Sequence, residues 1–559
     1  MIEFTFGRFG ASGRLQVNLI DLDARIGSGP AITAAFVLAA AGTANYDDNF
    51  VEKFLAIGQP GGFQNGAPLD ALVRVAELQV CYSLSQAQLS IMGPVMASDN
   101  LCLLDLVEIG RRVQARQLSA VEVTQAVLDR IERLDGRLKS YVTVTGDLAL
   151  GQAREADAQI ARGAIRGALH GVPIAVKDLC HTKGIRTSAG MTIYKDYRPE
   201  RDATVVTRLR EAGAVLLGKL KMTEGAFAAH HPSIDPPINP WSAEHWTGVS
   251  SSGPGVATAA GLCYGSLGTD TLASIRFPST MNGITGLKPT SGRVSRAGVF
   301  TLAESLDHIG PMARSAADTA AMLGAIAGPD PDDPTAVHDP VPNYLSAIGG
   351  GVRGLRIGID RALIAAGADT DMVDATEEAA AVLTRNGAVL REVRCPSLDA
   401  VVPDALALCG VEAAVAHEAT YPSRAGEYGP VLTGLLENGR ALDGVAVAKI
   451  WQRREAFRGQ LNALFRDIDL LIMPAMNRAA PTLADLARRT PAATEARIRF
   501  TAPFDMSGHP TLTLPGGKTA DGLPVGFQIV ARHMEETLVL RAGHTFQQMT
   551  DWHRRRPPR

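Results

Sequence analysis

The residues best suited to chemistry lie in 246–293, WTGVSSSGPGVATAAGLCYGSLGTDTLASIRFPSTMNGITGLKPTSGR, a stretch short of charge and rich in Gly, Ser, Thr and Ala. Small residues let a backbone approach another group closely, and hydroxyls supply nucleophiles and hydrogen-bond donors. Such a segment reads as the floor of an active site. Hydrolysis through a covalent intermediate needs a nucleophile, a base to activate it and donors for the oxyanion that forms. A candidate base is Lys177, which ends the apolar run VPIAVK and precedes Asp178. It is either a surface residue at a strand end or a buried amine. Buried, it is costly unless paired or neutral. To work as a base near neutral pH it must give up its proton far below the usual lysine range, a difference worth roughly 4 kcal/mol.

Other common chemistries leave no trace. There is no GxSxG elbow, P-loop, HExxH helix or GxGxxG turn after a strand. His230 and His231 are a candidate metal pair, but adjacent side chains diverge and no third ligand stands at ligand spacing, which favours a pocket-lining or structural role. Six cysteines at 81, 102, 180, 263, 395 and 409 form no CxxC pair, and they read as small buried hydrophobes.

The elements that must position these groups follow from periodicity. Residues 101–117 and 119–134 read as two amphipathic helices and 147–162 as a third helix; the second opens on a capping-box spacing, Ser119 and Glu122, with Val123, Val127, Ile131 and Leu134 on one face. A short strand over 172–179 ends near Lys177, followed by a helix at 205–212 and a strand at 214–218. Helix 315–327 runs into a Pro- and Asp-rich linker, 328–342, expected to separate the core from a new segment. Beyond it come a strand at 354–359, a helix at 370–386, helices across 400–466, strands at 470–473, 511–514 and 525–530, and a closing helix at 534–548. This alternation predicts an α/β sheet with helical cover.

The division expected is an N-terminal extension, 1–100, mainly helical; a domain over 101–550 with its core at 101–327 and 467–550 and an α-rich insert at about 340–466; and a flexible tail, 551–559. The extension carries no nameable chemistry and could be an extra domain, a homodimer arm or a cover over the site. A formal charge of −3, with 55 Lys and Arg against 58 Asp and Glu, argues against a nucleic-acid or acidic-membrane partner. The N-terminus does not read as a signal peptide, and the longest apolar run, 31–41, is too short for a bilayer span, so a cytoplasmic location is expected.

The chain resembles the amidase signature family of serine hydrolases. The matching pieces are GVPIAVKDL at 171–179, GVSSSGPGVATAAG at 248–261, GTDTLASIRFPSTMNGITGLKP at 268–289, AGPDPDDPT at 327–335 and GLPVGFQIV at 522–530. Each glycine-rich piece alone is weak; in family order they are specific. The resemblance implies an amidase-signature fold, a central mixed twisted β-sheet covered by helices on both faces. It also implies a Ser–Ser–Lys triad, with Ser274 as nucleophile, Ser250 on a cis peptide as proton relay and Lys177 as general base. The backbone N–H groups of Thr271, Leu272, Ala273 and Ser274 match the oxyanion hole. Asp270 and Arg276 match supporting positions, and Ser251, beside the relay serine but facing another way, is grouped with them. No metal or organic cofactor is implied.

Several positions depart from the family pattern. Leu272 and Ala273 stand where two glycines are usual, so backbone strain of about 1–3 kcal/mol each is expected there. Pro254 replaces a small polar residue, Ser291 an aromatic, and Val249 a glycine. The departures fit an altered but working pocket, an inactive relative or deliberate engineering. With His230 and His231, residues 254, 272, 273 and 291 are the candidate substrate pocket. The function expected is hydrolysis of a small or medium aliphatic or aryl amide through an acyl-enzyme on Ser274. The alternatives are a urethanase or carbamate hydrolase using the same triad, the glutaminase subunit of a tRNA-dependent amidotransferase, and a non-catalytic relative.

Overall fold

The computed structural model describes residues 100–558 apart from residue 489. The mainly helical extension expected over 1–100 therefore lies, all but its last residue, outside the described residues. Eleven strands build one mixed sheet: β1 (Tyr141–Val144), β2 (Pro173–Lys177), β3 (Val215–Leu220), β4 (Gly265–Asp270), β5 (Thr285–Lys288), β6 (His308–Ala313), β7 (Arg356–Ile359), β8 (Val389–Glu392), β9 (Leu470–Pro474), β10 (Thr511–Lys518) and β11 (Pro524–Ala531). Their order is β1-β3-β2-β4-β6-β5-β10-β11-β9-β7-β8. β2 runs parallel to β3 and β4, whereas β4 and β5 are both antiparallel to β6. The carboxyl ends of β2, β4 and β5 consequently lie at the same end of the sheet. That end carries the candidate chemistry.

Helices α1 (Leu106–Gln114) and α2 (Ala120–Leu138) fall where amphipathic helices are expected, and α3 (Gly146–Ala161) and α4 (Thr204–Glu211) where helices are. The capping box of α2 is formed: Ser119 Oγ accepts from the Glu122 N–H while the Glu122 carboxylate accepts from the Ser119 N–H. Val123, Val127 and Ile131 are buried, and Leu134, a turn further on, is only partly so. Two short buried helices that periodicity does not announce, α5 (Ser252–Ala259) and α6 (Arg276–Asn282), arise from the Gly- and Ser-rich stretch. Every residue of both is buried, so neither has a polar face to reveal a period.

The described residues belong to one compact unit. After α7 (Ala316–Ile326), the linker 328–342 does not part the core from a separate segment. Asp330 accepts a hydrogen bond from the Ser295 hydroxyl, and the buried Asp333 accepts one from the Arg296 N–H at 2.7 Å, so the linker is stitched to the chain it follows. The α-rich insert likewise contributes β7 and β8 to the main sheet, with β7 paired parallel to β9; α8 (Thr370–Arg385) lies between the two strands, and α9 (Val401–Ala416), α10 (Pro430–Arg440) and α11 (Gly444–Leu464) follow them. After α12 (Ala502–Ser507) and α13 (Glu536–Met549), the tail expected to be flexible docks instead. His553 is buried, Arg555 lies 3.9 Å over the Trp552 ring, and Arg556 donates to the Leu103 carbonyl at 3.3 Å. Among the described residues, no helix is long and apolar enough to cross a membrane.

Candidate active site

Lys177 is the last residue of β2, a strand buried along its whole length between two parallel neighbours. The side chain is fully buried, which removes the surface reading. Its Nζ lies 2.7 Å from Ser250 Oγ and 2.7 Å from Thr269 Oγ1 on β4. Among the described residues no carboxylate comes within ion-pair distance of it. Removal from water without a compensating anion disfavours the ammonium form, and burial pushes the Lys177 pKa down to about 7.

Ser250 arrives on a turn that only a close backbone approach permits. Gly248 has φ +77°, and a Cβ there would lie 2.6 Å from the Pro278 nitrogen. The Val249–Ser250 peptide is cis. Ser251 faces β4 rather than Lys177. Its hydroxyl donates to the Thr269 carbonyl at 3.2 Å and accepts from the Thr269 N–H at 3.3 Å, while its own N–H donates to the Ser274 carbonyl at 3.3 Å. Ser251 thus joins the segments carrying Ser250, Lys177's partner Thr269, and Ser274.

Ser274 stands in the loop between β4 and α6, 9% exposed, and its hydroxyl has no hydrogen-bond partner among the described residues. The loop is braced from beneath. The Asp270 carboxylate accepts from the N–H groups of Ile275 and Arg276 at 2.9 and 3.2 Å and pairs with the Arg276 guanidinium at 2.7 Å. Arg276 also donates to the Thr501 carbonyl at 2.8 Å and pairs with Asp505 on α12. Burial alone would raise the Asp270 pKa; the facing Arg276 and the Ile275 N–H outweigh it and hold the carboxyl well below its usual range.

Leu272 and Ala273 are buried, 8% and 4% exposed. Neither has a φ in the left-handed region. The strain expected from replacing glycine at these positions is therefore absent: the loop passes through backbone conformations open to any residue. Pro254 is buried in α5, where its carbonyl accepts from Ser266 Oγ of β4 at 3.3 Å. His230 and His231 diverge. His230 Nε2 meets Ser252 Oγ at 3.1 Å, two residues from Ser250, and burial holds its pKa down at about 4, whereas His231 Nδ1 meets Ser233 Oγ at 2.7 Å. Ser291 stands apart from the other candidates by its contacts, its N–H donating to the Gly508 carbonyl at 3.1 Å.

Thr269 and Asp505 belong to this arrangement although the sequence does not single them out. Thr269 sits beside Asp270 in the GTD triplet, but only the β2–β4 pairing shows that its hydroxyl meets Lys177. Asp505 lies 229 residues from Arg276 and carries no local signal.

A buried lysine, two serines and a braced loop at one end of this sheet define the class. The amidase family profile matches residues 122–540, and the chain belongs to that family, the amidase signature enzymes; it is an amide hydrolase. It is similar to a Mycobacterium tuberculosis protein named "Putative amidase AmiD", with 48% identity over 478 residues, covering 84% of this chain and 99% of that one. It is 36% identical to the A-type subunit of the glutamyl-tRNA(Gln) amidotransferase of a Geobacter species, covering 81% of this chain and 99% of that one. Among solved structures it resembles the peptide amidase of Stenotrophomonas maltophilia, with a TM-score of 0.69 and 30% identity, covering 81% of this chain and 98% of that one.

Proposed function

We propose that the chain hydrolyses a small or medium aliphatic or aryl amide through an acyl-enzyme on Ser274. Neutral Lys177 takes the proton of Ser250, which takes that of Ser274 as its Oγ attacks the amide carbonyl carbon. The N–H groups of Thr271, Leu272, Ala273 and Ser274 hold the oxyanion. The proton returns through Ser250 to the leaving nitrogen, which departs as an amine or ammonia. Water then cleaves the acyl ester by the same relay. Leu272, Ala273 and Pro254 shape the floor beneath the substrate, and His230 borders it through Ser252. The proposed partner is a small-molecule substrate, not a nucleic acid or membrane.

One observation carries this reading. A fully buried lysine, hydrogen-bonded to two hydroxyls and lowered to about 7, is ready to accept a proton at neutral pH. The Ser274 hydroxyl would attack a carbamate carbonyl by the same relay, so carbamate cleavage is the companion reading. The similarity to the amidotransferase chain supports a second one, release of ammonia from a glutamine side chain. Intact mass after fluorophosphonate treatment tests the nucleophile: one adduct is expected on the natural chain and none on Ser274→Ala. Turnover of anilides, primary amides, carbamates and glutamine then separates the substrate classes. Equal labelling or equal turnover of the two proteins would remove Ser274 from the reaction.

A further inference from the structure

Asp307, just before β6, is a buried carboxylate that the relay above does not use. Its Oδ1 accepts the Thr271 hydroxyl at 2.6 Å, and its Oδ2 accepts the N–H groups of Leu302 and Ala303 at 2.9 and 3.1 Å. Thr271 is the first residue of the proposed oxyanion loop, so that loop is held from two sides, by Asp270 at its base and by Asp307 at its start. Asp307 also borders a small cavity together with Thr269, the second partner of Lys177.

The charges around Lys177 make Asp307 distinctive. Cys180, Asp307 and Asp270 lie near enough to act on the lysine through their charge. Burial pushes the Cys180 thiol up to about 11, so it is neutral at working pH. Asp270 is paired with Arg276 at 2.7 Å, and the second carboxyl on that guanidinium, Asp505, is pushed by burial toward its neutral form. Around Asp307 itself stand Arg296, tied to Glu304 at 2.7 Å, and Cys409 of α9, whose thiol burial holds well above its usual range. Burial raises Asp307 to about 6 against its three hydrogen bonds, leaving it ionised at neutral pH.

We propose that Asp307 is a positioning residue for acyl transfer, fixing Thr271 at the entry of the oxyanion loop and supplying the uncompensated negative charge that Lys177 faces. The inference rests on the Ser274–Ser250–Lys177 reading. It assigns Asp307 two separable effects: hydrogen bonding sets the geometry of the loop, and charge sets the pH at which Lys177 becomes a base.

The test is the rate of Ser274 labelling by a fluorophosphonate, followed in the full chain from about pH 5 to about pH 9. The natural chain should show a rate that rises through the titration of Lys177. Asp307→Asn removes the charge, so the lysine loses its proton more readily and the midpoint falls by about half a pH unit or more. Its amide can accept from only one of the two sides, so the midpoint, not the plateau, is the readout. Thr271→Val keeps the carboxylate and cuts the anchor; the plateau rate should fall about tenfold, and Thr271→Ser should restore most of it. A folded Asp307→Asn variant with an unmoved midpoint would overturn the charge role, and a Thr271→Val plateau equal to the natural one would overturn the anchor. Absence of labelling at Ser274 in the natural chain would instead bring down the triad reading, and this inference with it.

Discussion

Two fully buried lysines stand on adjacent strands, Lys177 at the end of β2 and Lys219 on β3. Burial lowers both ammonium groups. Their partners differ. Lys219 donates to the Cys180 carbonyl, to Thr182 at 3.1 Å and to Thr187 at 2.7 Å, with the Asp178 carboxylate 3.9 Å away. Lys177 has two hydroxyls and, among the described residues, no carboxylate within ion-pair distance. Desolvation therefore acts on both; a carboxylate within ion-pair distance opposes it at Lys219, and only the more distant Asp307 and Asp270 do so at Lys177. Lys219 sits among a carbonyl, two hydroxyls and a carboxylate, and Lys177 between two hydroxyls. The same residue type, equally hidden, has a structural set of partners on one strand and, in the proposed function, the part of a base on the next.

The largest effect expected from this contrast is on activity. Lys177→Met should reduce kcat/KM for an anilide by a factor on the order of 10³ or more, since it removes the base, whereas Lys219→Met should leave most of the activity in whatever protein remains folded. Steady-state kinetics on both variants checks it; equal losses would erase the distinction.

Stability should move in the opposite sense. The folded-state pKa of Lys177 lies below the unfolded one, at about 7, so the unfolded chain binds the extra proton between those values. Stability of the natural chain accordingly rises with pH across that window, and the penalty is full below it. Lys177→Met removes the penalty and should gain up to about 4 kcal/mol below pH 7, the gain fading toward the ordinary lysine pKa. Lys219→Met strands the buried Asp178 and should lose about 3 kcal/mol. Denaturant midpoints at two pH values read both signs.

A matched pair of hydroxyl deletions sharpens the comparison further. Thr269→Val should cut kcat about tenfold by freeing the Lys177 amine to turn from Ser250, while Thr187→Val, at Lys219, should cost stability of about 1 kcal/mol and little activity. The smallest effect belongs to the loop. Because Leu272 and Ala273 sit in ordinary backbone conformations, restoring glycine at both relieves no strain; it should lower stability by about 1 kcal/mol and widen the range of amides turned over. An unchanged substrate range would remove these two side chains from the pocket.

Much of this arrangement can be read from residue order, and what cannot has physical reasons. The capping box of α2, the strand ending at Lys177 and the late helices announce themselves through period and caps. β4, β5 and β6 do not. Their residues, GSLGTD, TGLK and HIGPMA, are buried on both faces and hold few β-branched side chains, so neither alternation nor propensity marks them. The linker 328–342 looks like a boundary because Pro and Asp dominate it, yet its aspartates serve as acceptors for Ser295 and Arg296. Leucine in place of glycine at 272 suggests strain when only the residue type is visible; φ decides strain, and φ is a property of the fold. Lys177, Ser250 and Ser274 are legible through the resemblance, while Thr269, Asp307 and Asp505 require strand pairing and long loop returns to bring them in.

The strand order has a consequence for how the chain is made. β10 and β11 lie side by side between β5 and β9, so residues 511–531 fill the middle of a sheet whose outer strands come from segments translated earlier. Arg276, next to the Ser274 loop, leans on Thr501 and Asp505 from the same late region. A ribosome that has already synthesised Lys177, Ser250 and Ser274 still holds a chain whose reactive loop lacks its support and whose sheet is open down the centre. The sheet and the support of the Ser274 loop thus stay incomplete until residues 501–531 emerge, and a premature stop before them leaves Lys177, Ser250 and Ser274 with no surface to hold them together.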